Sequence, residues 1–153
     1  MNDHGLSPPG SVPEITRSVT RGAARLLGDL GLGVLTEFSL ATGRRVDVIG
    51  IDRAGMITVI EVKASVADFK GDRKWREYLD FCDRFFFAVS ADFPRELLPM
   101  DDNCGVIIAD RFGAEILREP VTEKLAAARR KAVTLRFART ASQRLQSMLD
   151  PGL

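Results

Sequence analysis

Hydrophobic positions recur along the chain with two different periods, and the switches between them mark out the elements. From Ser11 to Gly31 the apolar residues Ile15, Val19, Ala23, Leu26, Leu27 and Leu30 fall at helical spacing. Ser11 serves as cap with Glu14 three residues on, and Gly31 stands where the helix should stop. Val34–Leu40 reads as a strand. Arg45–Ser65, RVDVIGIDRAGMITVIEVKAS, reads as a hairpin in which Asp52-Arg53-Ala54-Gly55 separates two runs rich in Val, Ile and Thr. The stretch VADFKGDRKWREYLDFCD returns to helical spacing, with Trp75, Tyr78, Leu79 and Cys82 on the face that should meet the sheet. Arg84–Ser90 is a short apolar run and predicts a buried strand; strand, helix, strand then implies a parallel pair. Gly105–Ala109 and Ala114–Leu117 predict a further hairpin at the sheet edge. Val121–Leu149 is a long helical pattern with Val133, Phe137, Ala141, Leu145 and Met148 along one face.

Turn lengths fix which residues meet. If Arg53-Ala54-Gly55 is a three-residue loop with Gly55 left-handed, Asp52 faces Met56 and Asp47 falls across from Glu61. Alternation puts Lys63 on the face of Glu61. A second three-residue loop, Ala41-Thr42-Gly43, sets Leu40 against Arg44 and Glu37 against Asp47. The expected result is an acidic row, Glu37, Asp47 and Glu61, across three adjacent strands. A one-residue change in either loop would flip a face and dissolve it.

Opposed carboxylates on neighbouring strands lie roughly 5 Å apart and repel. Where water is scarce they shift their pKa values apart or take up a cation, and an all-oxygen set suits Mg²⁺. An ammonium alongside, here Lys63, can hold a phosphate or orient an attacking water. Asp, a spacer, then Glu-x-Lys on a hydrophobic strand is therefore a metal-nuclease constellation, with Asp47, Glu61 and the Val62 carbonyl as expected metal ligands. Glu-x-Lys alone also occurs on solvated strand faces; the apolar neighbours Val59, Ile60, Val62 and Ala64 favour the buried reading.

Composition adds bounds. The 153 residues, 45% hydrophobic and 28% charged, suit one ordinary globular domain over 11–150, after a polar, Pro/Gly-rich tail at 1–10 expected to be mobile. The single histidine, His4, lies in that tail, which argues against a histidine triad or histidine-ligated zinc. Two cysteines, Cys82 and Cys104, are too few for a disulfide framework and read as buried thiols. No run is long enough to cross a membrane and the N-terminus has no signal core, so a cytoplasmic, nucleoid-associated protein is expected. The net charge of +1 hides an asymmetry: residues 121–153 carry seven basic and two acidic side chains, leaving −4 for the rest. Arg129, Arg130 and Arg136 on that cationic helix, with Lys70, Arg73 and Lys74 after the Glu-x-Lys strand, are the candidate contacts to a phosphate backbone. Arg17, Arg21 and Arg25, four apart, form either a solvated stripe or another such row.

The order helix, three-strand meander, helix, strand, with Asp47…Glu61-Val62-Lys63 on the second and third strands, resembles the PD-(D/E)xK, or restriction-endonuclease-like, superfamily. GRRVDVIGID, IEVKASVADFKGDRKWREYLDFCDRFFFAV and ARRKAVTLRFARTA resemble, more specifically, the MmcB-type DNA-repair family of endonuclease-like proteins. The resemblance implies an α/β fold: an αβββαβ core with a mixed sheet flanked by helices, an extra hairpin and a long C-terminal helix. It implies Mg²⁺- or Mn²⁺-dependent hydrolysis of DNA phosphodiesters in repair, with Asp47 and Glu61 as ligands, Lys63 assisting and Glu37 as auxiliary acid. Val46 stands where the motif's name has proline. With no base-reading element visible, selectivity for DNA structure over sequence is expected. A homodimer would be one way to cut both strands, and other repair proteins are expected partners. The alternative is a catalytically silent nuclease-fold module that only binds DNA.

Overall fold

The computed structural model describes residues 10–71 and 74–152. The tail that includes His4, and Arg73 among the basic candidates, lie outside them. Helix α1 (Val12–Asp29) leads into strands β1 (Gly33–Ser39), β2 (Arg45–Ile51) and β3 (Ile57–Val62). A short α2 (Val66–Gly71) and a 3₁₀ helix (Trp75–Phe81) precede β4 (Arg84–Val89); β5 (Gly105–Ala109), β6 (Ala114–Arg118) and α3 (Ala127–Leu149) complete the order. Among the described residues six strands form one sheet in sequence order. β1, β2 and β3 are antiparallel neighbours, β3–β4 and β4–β5 are parallel, and β5–β6 is antiparallel. The α/β fold expected from the pattern is the one observed.

Both predicted turns set the predicted registers. Gly43 and Gly55 adopt φ of +87° and +85°, the left-handed position that closes a three-residue hairpin loop. Leu40 N–H donates to Arg44 O and Asp52 N–H to Met56 O. The ladder then pairs Phe38 with Val46, and Val48 with Ile60. In this register Glu37 stands opposite Asp47, and Asp47 opposite Glu61.

Two apolar layers clothe the sheet. α1 covers one face through Val19, Ala23 and Leu27 over Val48, Ile60, Phe86 and Ile107. Its N-terminus is capped as expected, with Glu14 N–H donating to Ser11 Oγ at 3.3 Å. Gly22 touches the β5–β6 turn so closely that an added Cβ would sit 2.0 Å from Asp110 O. The other face is aromatic: Trp75, Tyr78, Phe81, Phe85, Phe87 and Phe93 pack beneath the 3₁₀ helix and α3. Trp75 stacks on Phe85 at 5.5 Å, so it is core.

Two expected helices are shorter than their periodicity suggests. The stretch after Lys63 splits into α2 and a 3₁₀ helix, which buries Trp75, Tyr78 and Phe81 at spacing three. A face repeating every three residues is what a 3₁₀ turn offers. Residues 119–126 form a strap ahead of α3, because the carboxylate of Asp83 and backbone carbonyls claim their amides: Val121 N–H donates to Asp102 O, Glu123 N–H to Asp83 O and Leu125 N–H to Asp83 Oδ1. On α3, Val133, Phe137 and Ala141 meet the body of the protein, whereas Leu145 and Met148 are exposed. Both cysteines are free and buried; burial pushes the Cys82 thiol up and Cys104 to about 11.

Candidate active site

The site lies where β2 and β3 part. Their backbone pairing ends at Val48–Ile60, one step before Asp47 and Glu61. Beyond it the side chains take over from the ladder. Asp47 N–H donates to Glu61 Oε1 at 3.1 Å, and Val62 N–H donates to Asp47 Oδ2 at 2.7 Å. Each carboxylate thus satisfies an amide of the other strand, which keeps the amides paired where the strands diverge. The side chains change faces at this point. Val46 packs in the aromatic layer and Val48 under α1, although alternation would put them on one face. β1 makes the same half-turn at Glu37, the one described non-glycine residue with positive φ, +49°, so that Leu35 and Phe38 share a face. Arg144 of α3 holds that bend from outside, donating to Thr36 O at 2.6 Å and Glu37 O at 2.7 Å.

Asp47 is half-buried and Glu61 is 6% exposed. Desolvation raises the Asp47 carboxyl above the ordinary carboxylate range, and the negative charge of Asp68 adds to the effect. The Val62 amide, the charge of Lys63 and a hydrogen bond to Glu61 act in the opposite sense without cancelling it. Two acids side by side in this setting favour one proton or one cation between them.

Glu61 and Lys63 line a cleft of about 690 Å³ together with Arg44, Asp68, Lys74 and Tyr78. Lys63 is only 6% exposed, and its Nζ lies 4.0 Å from Asp68 Oδ1. Burial of an ammonium beside carboxylates fixes its position far better than a surface lysine's. Asp68 is a residue to which sequence reasoning assigns no role. It closes the start of α2 with Ser65: Asp68 N–H donates to Ser65 Oγ at 3.0 Å and Ala64 N–H to Asp68 Oδ2 at 3.3 Å. The signal was present as Ser-x-x-Asp directly after Glu-x-Lys. Arg44, also without an assigned role, pairs with Glu77 at 3.0 Å and lies over Tyr78.

The remaining candidates separate. Glu37 lies across from Asp47 in register but is exposed and does not line the cleft. Val62 contributes its amide to Asp47 while its side chain packs under α1. Lys74 lines the cleft; Lys70 is exposed outside its lining. Arg129 and Arg136 line a second groove, along α3, and Arg129 lies over Phe81 at 4.6 Å. Arg130 is a correction to the phosphate-contact reading: its guanidinium is held by both oxygens of Asp83 at 2.5 and 2.7 Å and by Gly55 O at 2.6 Å. It could touch a phosphate only by abandoning that clamp. Of the arginine row on α1, Arg17 pairs with Glu14 and Arg25 donates to Phe112 O, on the helix that covers the opposite face from the cleft.

A mixed six-stranded sheet with a paired-acid and lysine cleft at the parting of two strands defines an α/β domain with a nuclease-like site. Over residues 6–152 the chain matches the model of the family described as DNA repair protein MmcB-like. It belongs to that family. Among solved structures it is similar to the SPO1766 protein of unknown function from Silicibacter pomeroyi, with 47% identity, a TM-score of 0.85, and coverage of 90% of this chain and 92% of that one. No curated protein matches it. Among the described residues no helix is long and apolar enough to cross a membrane.

Proposed function

We propose that the protein is a Mg²⁺- or Mn²⁺-dependent DNA endonuclease of the PD-(D/E)xK type, acting in DNA repair and selecting DNA structure over sequence. The single observation that carries this reading is the Asp47–Glu61 pair, two acids hydrogen-bonded to each other at a strand opening beside the buried Lys63.

The donor set fits a hard divalent cation, being carboxylate oxygen from two residues that repel without one. Among the described residues no group of three or more Asp, Glu, His or Cys side chains gathers to complete a cage. Asp47 and Glu61 would therefore hold the ion with a backbone carbonyl such as that of Val62, water and the DNA phosphate itself. A bound Mg²⁺ supplies Lewis-acid polarisation of the phosphoryl oxygen and a more acidic water. The protein's part is positional. Glu61 and Asp47 stay fixed because each has an oxygen held by the neighbouring strand's amide. Lys63, anchored by burial and by Asp68, places positive charge where the phosphorane charge develops. Lys74 and Arg44 at the cleft mouth give the flanking phosphates cationic neighbours.

The test is a panel of nicked, flapped, branched, single-stranded and duplex DNA with Mg²⁺ or Mn²⁺. Cleavage of at least one form is expected, and its loss with Asp47→Asn and with Lys63→Ala. Activity that survives both substitutions overturns the assignment.

One observation favours a second reading, a DNA-binding module that does not cut. Asp47 and Glu61 already act as substitutes for missing ladder bonds, a structural task that needs no metal. Calorimetric titration with Mn²⁺ separates the two, since only the endonuclease requires a divalent ion bound by these acids.

A further inference from the structure

Beside the acid cleft, and separated from it by the β1–β2 turn, runs the larger groove along α3. Its volume is also about 690 Å³, within the size range of small-molecule sites. Phe38, Leu40, Phe81 and Val133 form its floor and the exposed Leu135 one wall. Arg129, Arg136 and Arg139 are its only charged lining residues, so the groove is apolar below and purely cationic above. Among the described residues neither Arg136 nor Arg139 has an ion-pair or hydrogen-bond partner. Arg129 lies flat over Phe81.

We propose that this groove receives an unpaired nucleotide of the DNA strand that enters the acid cleft, with the base on the apolar floor and adjoining phosphates on Arg136 and Arg139. The inference rests on the DNA-cleaving reading and adds a substrate class: DNA with single-stranded character next to the cut. A base offers a flat apolar face and its backbone one negative charge per residue, the complement of an apolar floor with a cationic rim. Duplex DNA keeps its bases stacked inside and can offer this groove only phosphates. The two sites are also within one strand's reach. Tyr78 lines the cleft and Phe81 the groove, one turn apart on the same 3₁₀ helix, about 6 Å along its axis. That is on the order of two nucleotide steps at about 3.4 Å each.

The experiment is fluorescence anisotropy in EDTA, without cleavage, on a labelled single-stranded thymidine oligonucleotide, an abasic oligonucleotide of the same charge and a duplex of the same length. The expected result is affinity for the thymidine strand about tenfold above the abasic strand, reflecting stacking of the base. Leu135→Glu should erase that preference. Arg136→Ala with Arg139→Ala should weaken binding to the thymidine strand and flatten its salt dependence by about 1.4 in the log–log slope, at about 0.7 per lost phosphate contact. Circular-dichroism melts establish that these exposed substitutions leave the fold intact. Equal affinity for thymidine and abasic strands, or a preference untouched by Leu135→Glu, overturns the proposal. If Mn²⁺-dependent duplex cleavage persists in that case, only the groove assignment falls. Base-dependent binding without any cleavage supports the groove and removes the endonuclease reading instead. Tight binding of an acidic peptide in competition with DNA, with no base preference, also overturns it.

Discussion

Asp47 and Asp83 are two partly or wholly buried aspartates, each taking a hydrogen bond from an amide of β3, and they end in opposite electrostatic states. Asp83 is 2% exposed and receives Ile57 N–H at 2.7 Å, Leu125 N–H at 2.8 Å and both arms of Arg130. Burial alone would raise its pKa; the Arg130 and amide donors outweigh burial and hold the carboxyl below the ordinary range. Asp47 has one strand amide, another acid as neighbour and no guanidinium, and its carboxyl is raised. The first acid is saturated with donors and has nothing left to offer a ligand. The second leaves negative charge incompletely answered, which is the condition a metal or a proton relieves. Burial does not distinguish a structural acid from a functional one; the number of donors around it does.

The largest expected effect comes from breaking the saturated site. Asp83→Asn should cost about 3–5 kcal/mol, the loss seen when one member of a buried ion pair is removed, read as a fall in the urea midpoint. A change under about 1 kcal/mol would mean that Arg130 and the strap find other partners. Acid should reveal the same contrast. Because the folded-state pKa of Asp83 is depressed, its contribution is present above the unfolded carboxylate value of about 3.9 and is lost as pH falls through the folded value. Asp47 has the opposite sign: its raised pKa favours the folded state below the unfolded value, and that benefit is lost as pH rises through the folded value. Urea midpoints taken from pH 3 to 8 should therefore show the gap between wild type and Asp83→Asn closing in acid. Arg144→Ala should cost about 1–2 kcal/mol, since it releases two carbonyls at a partly exposed site. It separates α3's attachment to β1 from its attachment through Asp83. The smallest stability effect belongs to Asp47→Asn, whose amide oxygen can still accept from Val62 while the acid–acid repulsion disappears. Its urea midpoint should match or exceed wild type; a fall as large as that of Asp83→Asn would make Asp47 a structural residue.

Much of this was legible along the chain, because it depends on short-range counting. Two glycine-closed loops set both registers, and these brought Glu37, Asp47 and Glu61 level across three strands. What the counting could not supply was the direction of each side chain once the backbone departs from a regular pleat. The positive φ at Glu37 leaves that acid outside the cleft lining, although its position in the row is as expected. The strand parting that makes Asp47 an amide acceptor likewise has no signature in hydrophobic alternation. The Asp83 clamp joins residues 57, 83, 125 and 130, and no local pattern links positions so far apart. Asp83 reads in sequence only as the polar boundary of β4, and Arg130 only as one more cation on a helix.

The same clamp gives α3 a mechanical property. Asp83 ties the strap and the first turn of the helix to Ile57, the first residue of β3, whose far end carries Glu61 and then Lys63. Arg144 grips β1 sixteen angstroms or so further along, since a helix rises about 1.5 Å per residue, at a level across from Asp47. A load on the cationic helix therefore reaches the acids through hydrogen-bonded supports near each of its ends. Whatever α3 holds is docked to the cleft as to a fixed jig, and its grip cannot drift independently of the chemistry.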